Sequence, residues 1–594
     1  MCGIVGYVGK DNCIPKILYG LESLEYRGYD SAGIAFKLNN KIIIKKEQGR
    51  LTNLKNEITD EDISTIGIGH TRWATHGKPS KTNSHPHQVG DVTLVHNGII
   101  ENYEELRTEL KEYEYISETD TEVLTAYIYH LYKKEKDMLK VLPVLKEKIK
   151  GSYALGIIIS NEDKIYAIRN NSPLIIGKSE EGNFIASDVP AILKYTKEYY
   201  LLLNNEYAVL SKDNITFYNE EDLEIEKELL TFEGSNDAAM KNGYEHFMLK
   251  EIHEQPTVIK ATISEYIKNY KTMKEKLSFI DKYNEIDIVG CGSAYHVGIL
   301  AKSLIEKYGD IKVNVGIASE YRYTKNFYSK NHLIILISQS GETADTLAVL
   351  RDAKKDGIDT LAIVNVVGSS IAREADKVLY IKAGPEIAVA TTKAYSCQLM
   401  LLSVIACYLG IKNKVLEETI LEEYKDLPSI IENILLDTSD TKNIANKIKE
   451  AKDIFFLGRK IDYGICLEAS LKLKEISYKH SEAYPAGELK HGTISLVEEA
   501  TPCISIITDE DIYLKTLSNI KEVKARGAYS VILTDLEINE TDAYDDIIKI
   551  DKHIDLISSV LIIIKCQLIA YYVAKYNNCD IDKPRNLAKS VTVE

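Results

Sequence analysis

The second half of the chain repeats its own strand pattern at a nearly constant spacing. Each repeated piece is a short apolar strand that is followed by a turn or preceded by a helix and a glycine. Three such pairs occur in one order, at offsets of 168, 169 and 170 residues: Ile286–Gly290 with Ile454–Gly458, Ile335–Ser338 with Ile504–Ile507, and the units around Gly357 and Gly527. Because strands alternate with long helices here, the repeat predicts two similar parallel α/β domains in tandem.

The first half has a different pattern of short β runs separated by turns. Helical patterns lie between them, over residues 14–24 and 121–132, which together favour a layered α+β domain. A polar, acidic stretch from Asn219 to Asn242 follows and is predicted to be a linker. The predicted strands of this half are Ile4–Val8, Ile42–Lys46, Ile66–Gly69, Val92–His96 and Ala154–Ile159.

Composition excludes several classes of protein. With 594 residues, 45% of them hydrophobic, the chain can bury several cores, and its net charge of -16 argues against a general nucleic-acid binder. The apolar stretch Leu556–Tyr576 contains Ser558, Lys565 and Gln567, which favours a buried helix over a membrane span. The nine cysteines show no CxxC pair and no zinc-ligand spacing. We therefore expect a reduced, cytoplasmic protein with no membrane association and no metal site.

The N-terminus begins with Met1-Cys2-Gly3, so removal of the initiator methionine would leave Cys2 with a free α-amine. An α-amine has a pKa of about 8 and a free thiol one of about 8.5, so the amine is a suitable general base for the thiol. A lone cysteine at this place is more often a small residue that starts a strand. The neighbouring motifs decide between the two interpretations.

Four motifs accompany Cys2, each at a turn or at the end of a predicted strand. Together they resemble the class II glutamine amidotransferases, whose N-terminal cysteine is the nucleophile, and the resemblance spans the whole first half. It implies an N-terminal-nucleophile hydrolase fold with αββα layers. The motifs are Glu25–Gly33, Gly69–Gly77, His96-Asn97-Gly98 and Thr119-Asp120-Thr121-Glu122.

The resemblance also implies roles for residues in these motifs. Arg72 would hold the glutamine α-carboxylate and Asp120 its α-ammonium, while the Asn97 amide and the Gly98 N–H would form an oxyanion hole. Trp73, the only tryptophan, would gate an ammonia path. Without the resemblance, Arg72 and Asp120 would be surface charges and Asn97-Gly98 a simple turn. The implied glutamine-binding set is Arg72, Trp73, Thr75, His76 and Asp120.

Two strand–loop–helix junctions in the first repeat are rich in glycine and serine, and such junctions can bind phosphate at a helix N-terminus. The run Ser338–Thr346 resembles the sugar isomerase (SIS) domain, a flavodoxin-like parallel α/β fold. In the second repeat, Ile507-Thr508-Asp509 replaces Ser338-Gln339-Ser340, and acidic residues follow. We therefore expect one phosphate site per chain. The implied ligands are Ser338, Gln339, Ser340 and Thr343, with Cys291, Gly292 and Ser293 near the sugar.

In the second repeat, helical spacing places Glu468, Lys472 and Glu475 on one face. A solvated charged face is the ordinary explanation of such a pattern. Three further segments, however, resemble the glucosamine-6-phosphate synthase family, and with them the resemblance covers essentially the entire chain. They are Ala388–Lys393, Tyr484–Gly492 and Pro584–Glu594.

That resemblance implies the amination and isomerisation of fructose 6-phosphate with L-glutamine as nitrogen donor, the first committed step of amino-sugar synthesis. His491 would open the sugar ring, Glu475 would move a proton between C1 and C2, and Lys589 would form an imine with the C2 ketone. Lys472 would be an electrostatic partner of the sugar oxygens. No cofactor is implied, and the family is usually dimeric. The remaining implied sugar-binding residues are Val389, Ala390, Thr391 and Ala588.

The expected domains are a glutaminase over residues 2–215, a linker with lead-in helices over 216–284, and SIS domains over 285–415 and 450–594. Two rival functions share parts of this pattern. One rival is another class II amidotransferase, such as asparagine synthetase or the phosphoribosyl-pyrophosphate type. The second half argues against both, because its sequence has neither a nucleotide-pyrophosphatase Ser-Gly-Gly loop nor a paired-aspartate ribose-phosphate motif. A sugar-phosphate sensor built on SIS domains would need neither Cys2 nor Glu475, His491 and Lys589.

Overall fold

The computed structural model describes residues 2–25, 28–39, 41–73, 77–232, 241 and 243–591. The chain forms two compact units, one of residues 1–240 with 588–594 and one of residues 241–587.

The first unit has fifteen strands and five α-helices among its described residues. The strands are β1 Gly3–Gly9, β2 Ser31–Leu38, β3 Lys41–Gln48, β4 Ile66–Arg72, β5 His87–Val89, β6 Val92–Ile100, β7 Gly151–Ile159, β8 Ile165–Asn170, β9 Ile175–Lys178, β10 Gly182–Ala186, β11 Glu198–Leu201, β12 Tyr207–Leu210, β13 Ile215–Tyr218, β14 Glu224–Ile225 and β15 Leu230–Thr231. The helices are α1 Cys13–Ser23, α2 Leu51–Glu57, α3 Tyr103–Glu109, α4 Asp120–Glu135 and α5 Met138–Lys148.

These strands form two antiparallel sheets, with orders β15-β11-β9-β10-β1-β4-β2-β3 and β14-β13-β12-β8-β7-β6-β5. Side chains alternate between the two faces of β1. Ile4 and Val8 pack against the second sheet, whereas Val5 and Tyr7 pack against α1. Helices α4 and α5 cover the outer face of the second sheet. The predicted αββα layers are confirmed.

Across the part of the second unit that the structure describes there are thirteen α-helices and ten strands. Its first part contains α6 Phe247–His253, α7 Gln255–Ile263, α8 Tyr270–Leu277, β16 Glu285–Gly290, α9 Ser293–Gly309, β17 Lys312–Ile317, α10 Ala318–Tyr321, β18 His332–Ser338, α11 Ala344–Lys355, β19 Asp359–Val364, α12 Ser370–Glu374, β20 Lys377–Tyr380 and α13 Lys393–Lys412. Its second part contains α14 Ile420–Leu436, α15 Ser439–Ile448, β21 Asp453–Gly458, α16 Ile461–Ser477, β22 His480–Pro485, β23 Pro502–Ile507, α17 Tyr513–Lys524, β24 Tyr529–Thr534, β25 Asp546–Lys549 and α18 Asp555–Tyr576.

The two parts repeat one topology, as the sequence predicts. Their parallel five-stranded sheets have the orders β17-β16-β18-β19-β20 and β22-β21-β23-β24-β25. A single apolar core runs through both repeats. Helices α13 and α18 are apolar and long enough to cross a membrane, but 94% and 100% of their most apolar windows are buried within the protein. This burial agrees with the interpretation of α18 as a core helix.

The stretch predicted to be a linker is partly structured. Strands β14 and β15 lie within it, and each is a short edge strand of one of the two sheets of the first unit. Only two residues of each strand are paired, which is too short a run to leave an alternating pattern in the sequence.

Candidate active sites

Cys2 lies directly before β1 and is buried. Strand β1 pairs with β4, with Gly3 opposite Thr71, so the residues after β4 lie next to the start of β1. The N–H of Trp73 donates to the Cys2 Sγ at 3.3 Å, and the thiol faces the Trp73 carbonyl at 3.6 Å. Burial raises the pKa of the thiol, while the hydrogen bond from the Trp73 N–H acts in the opposite direction.

Asn97 and Gly98 lie on β6 beside Cys2. The Asn97 Nδ2 donates to the Cys2 carbonyl at 3.0 Å, and the Cys2 N–H donates to the Asn97 Oδ1 at 3.3 Å. Gly98 has a φ of 135°, and a Cβ there would lie 2.0 Å from the Ser152 carbonyl oxygen. Only glycine fits this position. The structure therefore places both predicted oxyanion-hole residues on the second sheet, where Asn97 contacts the backbone of Cys2.

Arg72 ends β4, and Asp120 begins α4; both are buried. The Thr119 hydroxyl caps α4 by accepting from the Glu122 N–H at 3.2 Å, which fixes Asp120 in the first turn. The Asp120 Oδ2 accepts from the Ile100 N–H at 2.9 Å. Burial lowers the pKa of the Arg72 guanidinium, and the nearby Cys2 and Asp120 raise it. Neither residue is the surface charge that its sequence alone would suggest.

The Trp73 ring is partly buried and meets the Tyr29 ring edge-on, with centroids 6.1 Å apart. Thr75 and His76, which the family resemblance places at the glutamine site, lie outside the described residues.

A cluster of buried histidines supports this region and was not predicted as part of the site. The His70 and His85 rings stack with centroids 4.1 Å apart, and the His96 Nδ1 lies 2.9 Å from the Thr121 hydroxyl. Burial lowers the pKa of His70, His85 and His87 well below its ordinary value. Two of these residues fall within recognised motifs, but only the fold shows that their rings form one cluster.

In the second unit, Cys291, Gly292 and Ser293 follow β16. Gly292 has a φ of 55° at the start of α9, a conformation that favours glycine. The Cys291 Sγ lies 3.9 Å from the Thr346 hydroxyl, so this loop meets the first turn of α11. The Ser293 hydroxyl does not point at an open site; it donates to Glu468 at 2.9 Å.

The loop of residues 338–343 closes on itself at the N-terminus of α11. The Ser338 hydroxyl lies 2.9 Å from the Thr343 hydroxyl and accepts from the Gly341 N–H at 3.0 Å. The Ser340 hydroxyl accepts from the Glu342 N–H at 3.2 Å, and the Gln339 carbonyl accepts from the Asn365 N–H at 3.1 Å. Hydroxyls and loop N–H groups thus lie together, directly before α11, where the resemblance implies a phosphate.

The equivalent place in the second repeat holds a carboxylate of the chain itself. Asp462 accepts from the Thr508 N–H at 3.0 Å and from its hydroxyl at 2.5 Å. Burial raises the pKa of Asp462 to about 7, and the nearby Asp509 and Asp535 add to this. An internal acidic group therefore bonds to Thr508, the residue that replaces Gln339 in the second repeat, which supports one phosphate site per chain.

Helix α16 presents Glu468, Lys472 and Glu475 on one face, and this face is buried rather than solvated. The Lys472 Nζ lies 2.5 Å from the Glu475 Oε2 and 3.5 Å from the Glu468 Oε1. The side chains of Lys472 and Glu468 are each 1% exposed. Although burial lowers the pKa of Lys472, the two carboxylates outweigh it and raise the pKa.

The segment of residues 389–391 precedes α13. The Val389 N–H donates to the Asp582 carbonyl at 3.0 Å, and the Thr391 hydroxyl donates to Glu386 at 2.8 Å. Val389 and Ala390 are buried. Glu386 also accepts from the Thr392 N–H at 3.0 Å and is one of the charges that act on Lys472. Glu386 lies two residues before a recognised segment and was not predicted as a site residue.

His491 is exposed at the end of the short 3-10 helix Glu488–His491. No hydrogen bond or ion pair of the described residues joins it to Lys472 or Glu475. Ala588 and Lys589 are partly buried and lie in the C-terminal segment that groups with the first unit. The roles of these three residues stay predictions from the sequence.

Among the described residues, one group of side chains has the spacing of possible metal ligands: Glu285, Asp287 and His332. The Asp287 carboxylate already accepts from the Tyr321 hydroxyl at 2.5 Å and from the Asn314 amide at 2.8 Å. Glu285 pairs with Lys312 at 2.6 Å. These contacts satisfy both carboxylates within the protein, and the group lies at the start of its strands, away from the phosphate loop.

Comparison with known proteins agrees with this architecture. A family model for the glutamine amidotransferase domain matches residues 70–194, and one for the SIS domain matches residues 279–408 and 447–574. The C-terminal domain of glucosamine-fructose-6-phosphate aminotransferase from Francisella tularensis superposes with a TM-score of 0.54 at 36% identity. The aligned region covers 58% of the present chain and 99% of the Francisella tularensis chain. The fold and its sites thus define a glutamine amidotransferase domain joined to two SIS domains.

Relatives align over the whole length. The "Glutamine--fructose-6-phosphate aminotransferase [isomerizing]" of Clostridium tetani is 50% identical over 613 residues, covering 100% of both chains. The protein of the same name from Methanosarcina acetivorans is 44% identical, again covering 100% of both. The chain belongs to the family of isomerizing glutamine–fructose-6-phosphate aminotransferases.

Proposed function

We propose that the protein converts fructose 6-phosphate and L-glutamine to glucosamine 6-phosphate and L-glutamate. The observation that carries this proposal is the position of Cys2, buried at the start of β1 with its sulfur between the N–H and the carbonyl of Trp73. SIS domains alone would suit an isomerase or a sensor. A buried thiol, on a residue whose backbone pairs with the Asn97 side chain, adds the means to take nitrogen from an amide.

The first half-reaction is glutamine hydrolysis. Once Met1 is removed, the Cys2 nitrogen becomes an α-amine that the Asn97 Oδ1 holds, and this amine takes the thiol proton. The thiolate attacks the glutamine amide, ammonia leaves with the proton that the α-amine took up, and a glutamyl thioester remains on Cys2. Water then hydrolyses this thioester, which releases glutamate and restores the thiol. Arg72 binds the α-carboxylate of the substrate and Asp120 its α-ammonium. The Asn97 Nδ2 and the Gly98 N–H stabilise the tetrahedral oxyanion, for which Asn97 gives up its hydrogen bond to the Cys2 carbonyl.

The second half-reaction takes place on the sugar phosphate. Loop 338–343 binds the phosphate, and residues 291–293 and 388–391 surround the sugar. His491 opens the ring, and Lys589 forms an imine with C2 that ammonia displaces. Glu475 then moves a proton from C1 to C2, which yields the aminoaldose. Lys472 balances the charge of Glu475 and of the sugar oxygens.

Ammonia passes to the sugar inside the protein, and Trp73 gates this passage. The reaction needs no cofactor, because each step is a proton transfer, an imine exchange or an acyl transfer. We further propose that the enzyme acts in the cytoplasm as a homodimer and binds neither nucleic acid nor membrane.

Product analysis tests the proposed reaction. Purified protein is incubated with glutamine alone, with fructose 6-phosphate alone and with both, and the sugars and amino acids are separated by mass spectrometry. We expect glucosamine 6-phosphate and an equal amount of glutamate only when both substrates are present. Glutamate without an aminosugar would indicate an amidotransferase with another acceptor, and no glutamate at all would contradict the proposal.

A further inference from the structure

A polar pair joins the two repeats of the second unit. The His296 Nδ1, on α9 of the first repeat, lies 2.9 Å from the Glu468 Oε2, on α16 of the second. Because a carboxylate only accepts, the imidazole donates from Nδ1. The Ser293 hydroxyl, one turn earlier on α9, donates to the other oxygen of Glu468 at 2.9 Å. The Glu468 side chain is 1% exposed and that of His296 13%, so this is a buried, oriented carboxylate.

Glu468 connects in turn to the residues assigned to the sugar chemistry. Its Oε1 lies 3.5 Å from the Lys472 Nζ, which lies 2.5 Å from the Glu475 Oε2. Two carboxylates thus compete for one buried ammonium. Hydrogen bonds donated to Glu468 stabilise its negative charge, so this carboxylate depends less on the Lys472 ammonium. The ammonium can then interact more strongly with the Glu475 carboxylate. A continuous series of polar contacts therefore connects His296, through Glu468 and Lys472, to Glu475.

We propose that His296 is a positioning residue for the sugar half-reaction, which rests on the function proposed above. By donating to Glu468, it keeps the Lys472 ammonium directed at Glu475 and holds the Glu475 carboxylate in place to move the proton between C1 and C2. His296 does not itself touch the reacting carbons. No motif in the sequence marks this role, because the residue lies 172 positions from Glu468 and 179 from Glu475.

A purely structural bridge between α9 and α16 is the competing explanation. Under it, loss of the His296 hydrogen bond would lower stability and leave turnover unchanged. Under the proposal, substrate binding is intact and turnover falls, because Glu475 loses its alignment in the proton-transfer step. Loss of a whole acid–base group costs about 10²- to 10⁴-fold in rate, so loss of its support should cost about 10-fold or more.

The test compares two variants at one position in the full-length enzyme. His296→Leu removes the donor, whereas His296→Asn keeps an amide N–H at the place of Nδ1. We expect His296→Leu to lower the kcat for glucosamine 6-phosphate about 10-fold or more, with little change in the KM for fructose 6-phosphate. His296→Asn should recover most of the activity. His480→Asn is the matched control, since His480 makes a similar contact with Asp453, at 2.7 Å, on the exposed surface.

Failure of the proposed function would be seen in the wild-type protein, which would then make no aminosugar. Failure of the inference about His296 would be seen only in the variants. If wild type is active and His296→Leu has the same kcat, the inference is wrong. It is equally wrong if His296→Asn is as slow as His296→Leu, since then the donor is not what matters. If His296→Leu does not fold, His296→Gln replaces it, because the longer side chain carries its amide beyond the Nδ1 position.

Discussion

The side-chain amide of Asn97 pairs with the backbone of Cys2 in both directions, at 3.0 Å and 3.3 Å, across 95 residues of sequence. This pairing aligns the residue that we propose as nucleophile with the strand that carries the proposed oxyanion hole. The nitrogen of Cys2 lies within hydrogen-bond distance of the Asn97 Oδ1. The pairing therefore holds the two residues together at the junction of the two sheets.

Cys2→Ala should abolish glutamate release and leave the interconversion of fructose and glucose 6-phosphates unchanged. The reason is that the thiol lies in the first unit and the phosphate loop in the second. Both activities can be measured on one preparation by product analysis. Cys579→Ala, at a partly buried cysteine of the second unit, is the control. Glutamate release by Cys2→Ala at the wild-type rate would remove Cys2 as the nucleophile.

Lys589→Arg should keep the positive charge but lose aminosugar synthesis, because a guanidinium is effectively never deprotonated and cannot form the imine. Borohydride reduction with fructose 6-phosphate, followed by mass mapping, should place the adduct on Lys589 in the wild type. Lys583→Arg is the control, six residues earlier in the chain. Wild-type synthesis by Lys589→Arg would identify Lys589 as an ordinary surface lysine.

Trp73→Ala should uncouple the two half-reactions, so that glutamate forms faster than glucosamine 6-phosphate. Ammonia must cross as the neutral molecule, and a bulky apolar ring keeps the passage free of water. Trp73→Phe, which retains an aromatic ring, should stay closer to the one-to-one ratio. The test is the ratio of the two products in one reaction. An unchanged ratio in folded Trp73→Ala would leave Trp73 a packing residue.

Asp462→Asn should stabilise the protein at pH 8 and have progressively less effect toward pH 5. The folded-state pKa of about 7 lies above the ordinary 3.8, so between these values only the folded state holds the proton. Wild-type stability therefore falls as pH rises through this window, by up to about 4 kcal/mol. An asparagine avoids that loss. The test is to measure the unfolding midpoints of wild type and variant at both pH values, with the exposed Asp511→Asn as control. A gain in stability that is the same at both pH values would contradict the prediction.

The sequence predicts well what depends on local pattern. Apolar alternation locates β1 and β4, and the repeat spacing yields two α/β domains of one topology. Helical spacing places Glu468, Lys472 and Glu475 on one face. That face is buried, which spacing cannot show, because burial depends on α9 and α18 packing against α16 from other parts of the chain.

Contacts between distant segments are the part that sequence patterns miss. The pairs His296–Glu468 and Asp462–Thr508 have no local signature, since their partners lie 172 and 46 residues apart. The same holds for Glu386, one of the charges that act on Lys472, which lies 86 residues later in the sequence. Such interactions follow from helix packing and sheet register, and only the assembled fold brings them together.

The most direct test of the account follows the nitrogen atom. The enzyme is given fructose 6-phosphate and glutamine labelled with ¹⁵N at the side-chain amide, in a buffer that contains excess unlabelled ammonium. Mass spectrometry then determines which isotope is at C2 of glucosamine 6-phosphate. The account predicts ¹⁵N, because ammonia released at Cys2 reaches the sugar without mixing with solvent. Product that carries ¹⁴N from the buffer would contradict internal transfer.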